Sequence, residues 1–60
     1  MWVTAKKLFE LTGITIDASN KKRQRGVWPE GLIWRRAEDG RVYFNLDNVM
    51  QWISGELEAA

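Results

Sequence analysis

Apolar side chains recur at helical spacing near the start of the chain. Ala5, Leu8, Phe9 and Thr12 fall at i, i+3, i+4 and i+7, with Leu11 on the border of that face. Thr4 stands where an N-cap is wanted and Gly13 where a helix stops, so the pattern predicts a first helix of about two turns. A second start follows almost at once. Thr15 as N-cap, Asp17 in the first turn, where the helix dipole favours an acid, and a run through Arg25 ended by Gly26 predict a second helix. Its interior, Ala18-Ser19-Asn20-Lys21-Lys22-Arg23-Gln24-Arg25, has almost nothing apolar to bury. Packing is therefore not its main purpose.

Val27-Trp28-Pro29-Glu30-Gly31 breaks the helical period, and the next segment alternates instead. Leu32 to Ala37, the turn Glu38-Asp39-Gly40, and Arg41 to Phe44 read as a β-hairpin. A two-residue Asp39-Gly40 turn would place Ile33, Arg35, Ala37, Val42 and Phe44 on one face. A three-residue turn with Gly40 in the left-handed region would pair Ala37 with Arg41 and put Leu32, Trp34, Val42 and Phe44 on one face with only Arg36 among them. The second register is preferred because it divides core from solvent more cleanly, leaving Ile33, Arg35, Arg41 and Tyr43 outside. Asn45 then caps a third helix in which Leu46, Val49, Met50 and Ile53 form the apolar stripe, with Trp52 beside it and Gly55 as a stop. The tail from Glu56 to Ala60 is expected to fray.

The predicted order is helix, helix, β-hairpin, helix, in one α+β domain spanning residues 1–60. Two short helices joined this tightly form a helix-turn-helix unit, whose second helix enters the DNA major groove, and the hairpin would be its wing. The expected fold is a small winged helix-turn-helix.

Sixty residues sit near the lower limit for folding around one core and leave little room for a catalytic cleft. The absence of Cys and His excludes disulfide frameworks, zinc fingers and Cys/His nucleophile systems. Glu30, Glu38 and Asp39 belong to turns and assemble no carboxylate pair or metal site. Neither a catalytic activity, a metal nor a cofactor is expected. No apolar run has the length of a signal peptide or a membrane span, so the expected location is the cytoplasm, with no membrane partner. The net charge of +1 hides a strong polarity along the chain: residues 21–41 carry seven basic side chains against three acids, a net of +4, whereas residues 42–60 carry three acids and no base. A basic middle of this kind suits one-sided contact with a polyanion.

The basic residues fall in two elements. Lys21, Lys22, Arg23 and Arg25 lie on the second helix, and Arg35, Arg36 and Arg41 lie in the hairpin. Lys and Arg supply the phosphate contacts that dominate affinity for duplex DNA. Asn20 and Arg23, three apart, share a helix face; Asn suits the adenine edge and Arg the guanine edge. Ser19, near the helix start, could meet a base or a phosphate. Against this stands the reading in which the stems of Lys22 and Arg25 merely cover apolar surface. Four tryptophans raise the idea of stacking platforms for single-stranded nucleic acid. Core roles for Trp28, Trp34 and Trp52 are preferred, since a small domain without disulfides needs large side chains inside. Tyr43 is the aromatic expected to stay partly exposed beside Arg35 and Arg41, and it is counted with Arg35, Arg36 and Arg41 among the wing residues expected to contact DNA.

These residues also carry a family resemblance. Trp2-Val3-Thr4, the run from Lys22 through Trp28-Pro29-Glu30-Gly31, Trp34-Arg35-Arg36-Ala37, Asp39-Gly40-Arg41-Val42-Tyr43-Phe44-Asn45 and Trp52-Ile53 resemble the small excisionases of phages and prophages. These are the directionality factors of tyrosine-recombinase integration systems. The resemblance implies cooperative binding to adjacent sites beside an attachment site, contact with other copies along DNA, bending that favours excision, and a tyrosine-recombinase integrase as partner. It places Ser19, Asn20, Lys22 and Arg23 in the major groove and Arg35, Arg36 and Arg41 on adjacent backbone or minor groove. One departure is the acidic Glu56-Leu57-Glu58, where some members carry a basic, integrase-contacting tail. Two other functions remain open at this point: a prophage transcriptional regulator of the same fold, and a protein-interaction module whose basic face docks an acidic partner.

Overall fold

The computed structural model describes residues 1–56; the expected frayed tail from Leu57 onward lies outside the described residues. Helix α1 (Ala5–Thr12) begins at Thr4, whose extended backbone lets its hydroxyl accept the Lys7 amide at 3.2 Å. It ends at Gly13, whose φ of 80° is open to glycine and strained for other residues, and whose N–H is donated to the Phe9 carbonyl at 2.8 Å. Leu8 is fully buried, and Ala5 packs beside it against the core. Phe9 and Leu11, expected on or near this face, are exposed: the stripe that meets the core is narrow, and Phe9 falls outside it.

Helix α2 (Ile16–Gln24) starts with the same device, Thr15 accepting the Ala18 amide at 3.1 Å, and Arg25 caps its far end. Asp17 occupies the first turn and pairs with Lys21 at 3.2 Å, an exposed i,i+4 contact of small energetic weight. Thr15→Ala should lower unfolding stability by about 1 kcal/mol through loss of the cap, as read from a urea titration. An unchanged midpoint would mean that the cap contributes nothing.

The sheet holds one strand more than expected. β1 (Trp2–Thr4) pairs antiparallel with β3 (Val42–Asn45), which pairs on its other side with β2 (Trp34–Arg36), giving the order β1-β3-β2. Val3 lies opposite Phe44 and Thr4 opposite Tyr43. A strand of three residues with one inward side chain shows no period along the sequence; pairing to β3 makes it a strand. The hairpin adopts the three-residue turn: Ala37 donates to the Arg41 carbonyl at 2.8 Å, Gly40 donates to that of Ala37 at 3.0 Å, and Gly40 has a φ of 83°. Trp34 accordingly faces Phe44 and Arg35 faces Tyr43.

Ile33 departs from expectation, being fully buried rather than outward. The chain is still turning there. Ile33 donates to the Pro29 carbonyl at 3.2 Å and Gly31 to that of Trp34 at 2.7 Å, so strand alternation begins only at Trp34. Helix α3 (Leu46–Ile53) starts at Asn45, whose side chain accepts the Asn48 amide at 3.2 Å. Its inward residues are Leu46, Val49 and Trp52, whereas Met50 and Ile53, expected in the stripe, are each 50% exposed. The helix is rotated toward its largest side chain: the Trp52 ring meets that of Trp28 edge to face at 5.4 Å.

Val3, Leu8, Trp28, Ile33, Phe44 and Val49 form the core, with Trp28 also edge-on to Phe44 at 5.8 Å. Three helices and a three-stranded antiparallel sheet make a small α+β fold compatible with a winged helix-turn-helix, the hairpin of β2 and β3 being its wing. No described helix is long and apolar enough to cross a membrane.

Candidate nucleic-acid interface

The rotation of α2 decides which of its polar side chains face outward. Ser19 is the buried residue of this helix, and its hydroxyl is spent on the Ile16 carbonyl at 2.9 Å. It therefore has no free surface to offer a base or phosphate, contrary to expectation. Among the polar residues of this helix, the smallest fits best against the body of the domain.

The flanking residues follow from that anchor. Lys22 and Arg23 are half-buried. The Lys22 ammonium lies 5.6 Å from the centre of the Trp52 ring, and the Arg23 guanidinium lies 4.9 Å from that of Trp34. Both are cation–π contacts with the aromatic wall behind the helix. Arg23 also donates from Nη2 to Asn20 Oδ1 at 3.0 Å, while its Nε is buried without a partner. The expected pairing of Asn20 and Arg23 on one face is real, but it is a bond between the two rather than a pair of free readers.

What remains outward is a ridge at i, i+4 and i+7: Asp17, Lys21 and Gln24, all exposed, with Asn20 half-buried on one flank and exposed Arg25 at the end. Gln24 is an outward residue of this ridge that the sequence reading did not single out. Its signal was available, since it lies on the side opposite the small Ser19.

The wing is held to this helix by the same aromatics. Trp34 donates its indole N–H to the Trp28 carbonyl at 2.7 Å while its ring carries the Arg23 guanidinium, so the start of β2 and the last turn of α2 share one side chain. Arg36 and Arg41 flank the hairpin turn and are exposed. Asp39 accepts the Arg41 amide at 2.9 Å, and its carboxylate stands 3.9 Å from Arg41 Nε, a solvent-screened contact that leaves most of the guanidinium available. Arg35 and Tyr43 lie opposite each other further along the hairpin, on the face of the sheet away from Phe44. Arg35 is exposed and Tyr43 half-buried. The structure thus brings two groups of cations together on separate elements, Lys21 and Arg25 on α2 and Arg36 and Arg41 on the wing, joined through Arg23 and Trp34. Among the described residues, no three acidic side chains converge to hold a metal ion.

A family model described as "Putative excisionase (DUF1233)" matches residues 1–57 of the chain. No match was found among curated proteins or solved structures.

Proposed function

The chain belongs to this excisionase family, and from that membership we propose that it is a cytoplasmic, single-domain, double-stranded-DNA-binding directionality factor that binds cooperatively near an attachment site, bends the DNA and directs an integrase toward excision without catalysing strand exchange. The observation that carries the reading is the polar ridge of α2. Helices α1 and α3 anchor on the core through Leu8 and Val49, whereas α2 is pinned from behind by Ser19, Lys22 and Arg23 and presents Lys21, Gln24 and Arg25 outward.

In this reading α2 lies in the major groove. Lys21 and Arg25 neutralise phosphates along the groove, and Gln24, with the free edge of Asn20, reads base edges; the amide of Gln matches the donor and acceptor of adenine. Arg36 and Arg41 reach the neighbouring backbone or minor groove from the wing. Because Arg23 and Trp34 fix the wing against α2, the two sets of cations grip at a set separation, and a duplex that must meet both is drawn into a bend.

The test is a gel-shift titration with duplex from an attachment region against an unrelated duplex, at two salt concentrations. Successive shifted bands with clear preference for the attachment duplex are expected, followed by stimulation of excision in a recombination assay. Preference for a promoter duplex without any effect on recombination would replace this reading by transcriptional regulation. Failure to bind any duplex at physiological salt would leave the protein-interaction module. Within the same assay, Arg41→Ala should weaken all sequences alike and lower the salt slope by about one unit, the mark of a phosphate contact. A loss confined to the attachment duplex would contradict that role.

A further inference from the structure

The outer face of the sheet carries a cleft that duplex binding by α2 and the wing tip does not use. Directly paired residues share a face, so the register of β1, β3 and β2 places Trp2, Thr4, Tyr43, Arg35 and, two positions on from Arg35, Ala37 on the side away from the core. Trp2, Tyr43, Arg35 and Ala37 line a depression of about 350 Å³. Trp2 and Tyr43 are diagonal neighbours on adjacent strands, close enough for their rings to border one space. The Trp2 side chain is not part of the core: the residue is 46% exposed, in contrast to fully buried Trp28.

The chemistry of the lining is specific. It is made of two aromatic side chains, one arginine and a small alanine that leaves the space open, and no carboxylate lines it; the Arg35 guanidinium tip lies near Gly31. Arg35 joins none of the ion pairs among the described residues. A metal ion or an ammonium ligand would meet a cation and no anion. The bases of an intact duplex are stacked on one another and present only their edges. An unpaired base presents a flat π face to Trp2 or Tyr43, and the phosphate that follows it finds Arg35, with Arg36 and Arg41 on the same hairpin adding positive field.

We propose that this cleft is a second nucleic-acid site that stacks unpaired bases of a single strand on Trp2 and Tyr43 and holds their backbone on Arg35. The site stands on different residues from the duplex ridge of α2 and does not depend on it.

Fluorescence polarisation with a labelled oligothymidylate of about 12 nucleotides, a length within the usual range for such platforms, tests the site beside a labelled duplex. Trp2→Ala and Tyr43→Ala should each weaken single-strand binding about tenfold, Trp2→Ala with duplex binding unchanged, while Trp2→Phe restores most of the loss. Ala37→Leu, which fills the floor and keeps both rings, should reproduce the loss in a chain whose circular dichroism is native. It decides the matter if Trp2→Ala fails to fold. Single-strand binding that persists in a chain unable to bind duplex, and that falls in these variants, supports the site and counts only against the duplex reading. The proposal is overturned if the wild-type protein does not bind the single strand, if the folded variants bind it as the wild type does, or if they lose duplex and single strand equally. Direct binding of labelled poly-glutamate, lost in the same variants, with no binding of the single strand, would assign the cleft to an acidic protein surface instead.

Discussion

Trp28→Ala is expected to leave most of the chain unfolded at room temperature. The indole is fully buried, and it meets Phe44 on one side at 5.8 Å and Trp52 on the other at 5.4 Å, both edge to face. It therefore joins the sheet, α3 and the turn after α2 in one contact set. Truncating a buried tryptophan costs about 3–5 kcal/mol, and a core of this size rarely supplies more than about 3–5 kcal/mol of net stability. Loss and reserve are comparable. Trp28→Phe should be far milder, since it keeps a ring between Phe44 and Trp52 and removes an indole N–H that has no hydrogen-bond partner in the wild-type fold. Circular dichroism during urea titration separates the two variants. A cooperative transition in Trp28→Ala within about 1 kcal/mol of wild type would show that the core is not organised on this residue.

The second large effect separates two neighbours on α2. Arg23→Ala deletes the bond to Asn20 and the stack on Trp34, so it loosens the wing as well as the helix. It should lower stability by about 2–4 kcal/mol, the sum of one charged hydrogen bond and one cation–π contact, and weaken every duplex to a similar degree. Gln24→Ala touches nothing in the fold. It should leave stability within about 0.5 kcal/mol and cost about 1–3 kcal/mol on the preferred duplex, with preference relaxed at one base pair. Urea titrations and competition gel shifts on the same samples give both numbers. Should Arg23→Ala relax one position of the site while Gln24→Ala changes nothing, the orientation proposed for α2 on DNA would be wrong.

These two residues also show where the sequence was legible. Caps and turns were readable because each is a local rule: Thr4, Thr15 and Asn45 accept the amides three residues on, and Gly40 closes the hairpin in the register that sorted its apolar residues best. Rotation was harder. An apolar stripe fixes which side of a helix faces inward, and α2 has none, so Ser19 and Arg23 read as surface groups until the aromatic wall formed by Trp34 and Trp52 was in place. The same difficulty, in weaker form, misassigned Met50 and Ile53 on α3, where the bulk of Trp52 outweighed the spacing of smaller residues. Ile33 was misplaced because strand alternation was extended into a turn. Strand β1 was missed because its identity depends on a partner some forty positions away.

The anchoring of α2 from behind has a consequence for how such a protein diversifies. Ser19, Lys22 and Arg23 hold the helix, whereas Asp17, Lys21, Gln24 and Arg25 support nothing in the interior. Substitutions at the latter four positions are nearly free of folding cost, so under the proposed function a lineage can change the target of its outward ridge by single steps without first acquiring a stabilising change elsewhere. Asn20 is the exception, because altering it releases Arg23. Exchange of those four side chains between relatives should therefore transfer target preference while the scaffold beneath stays the same.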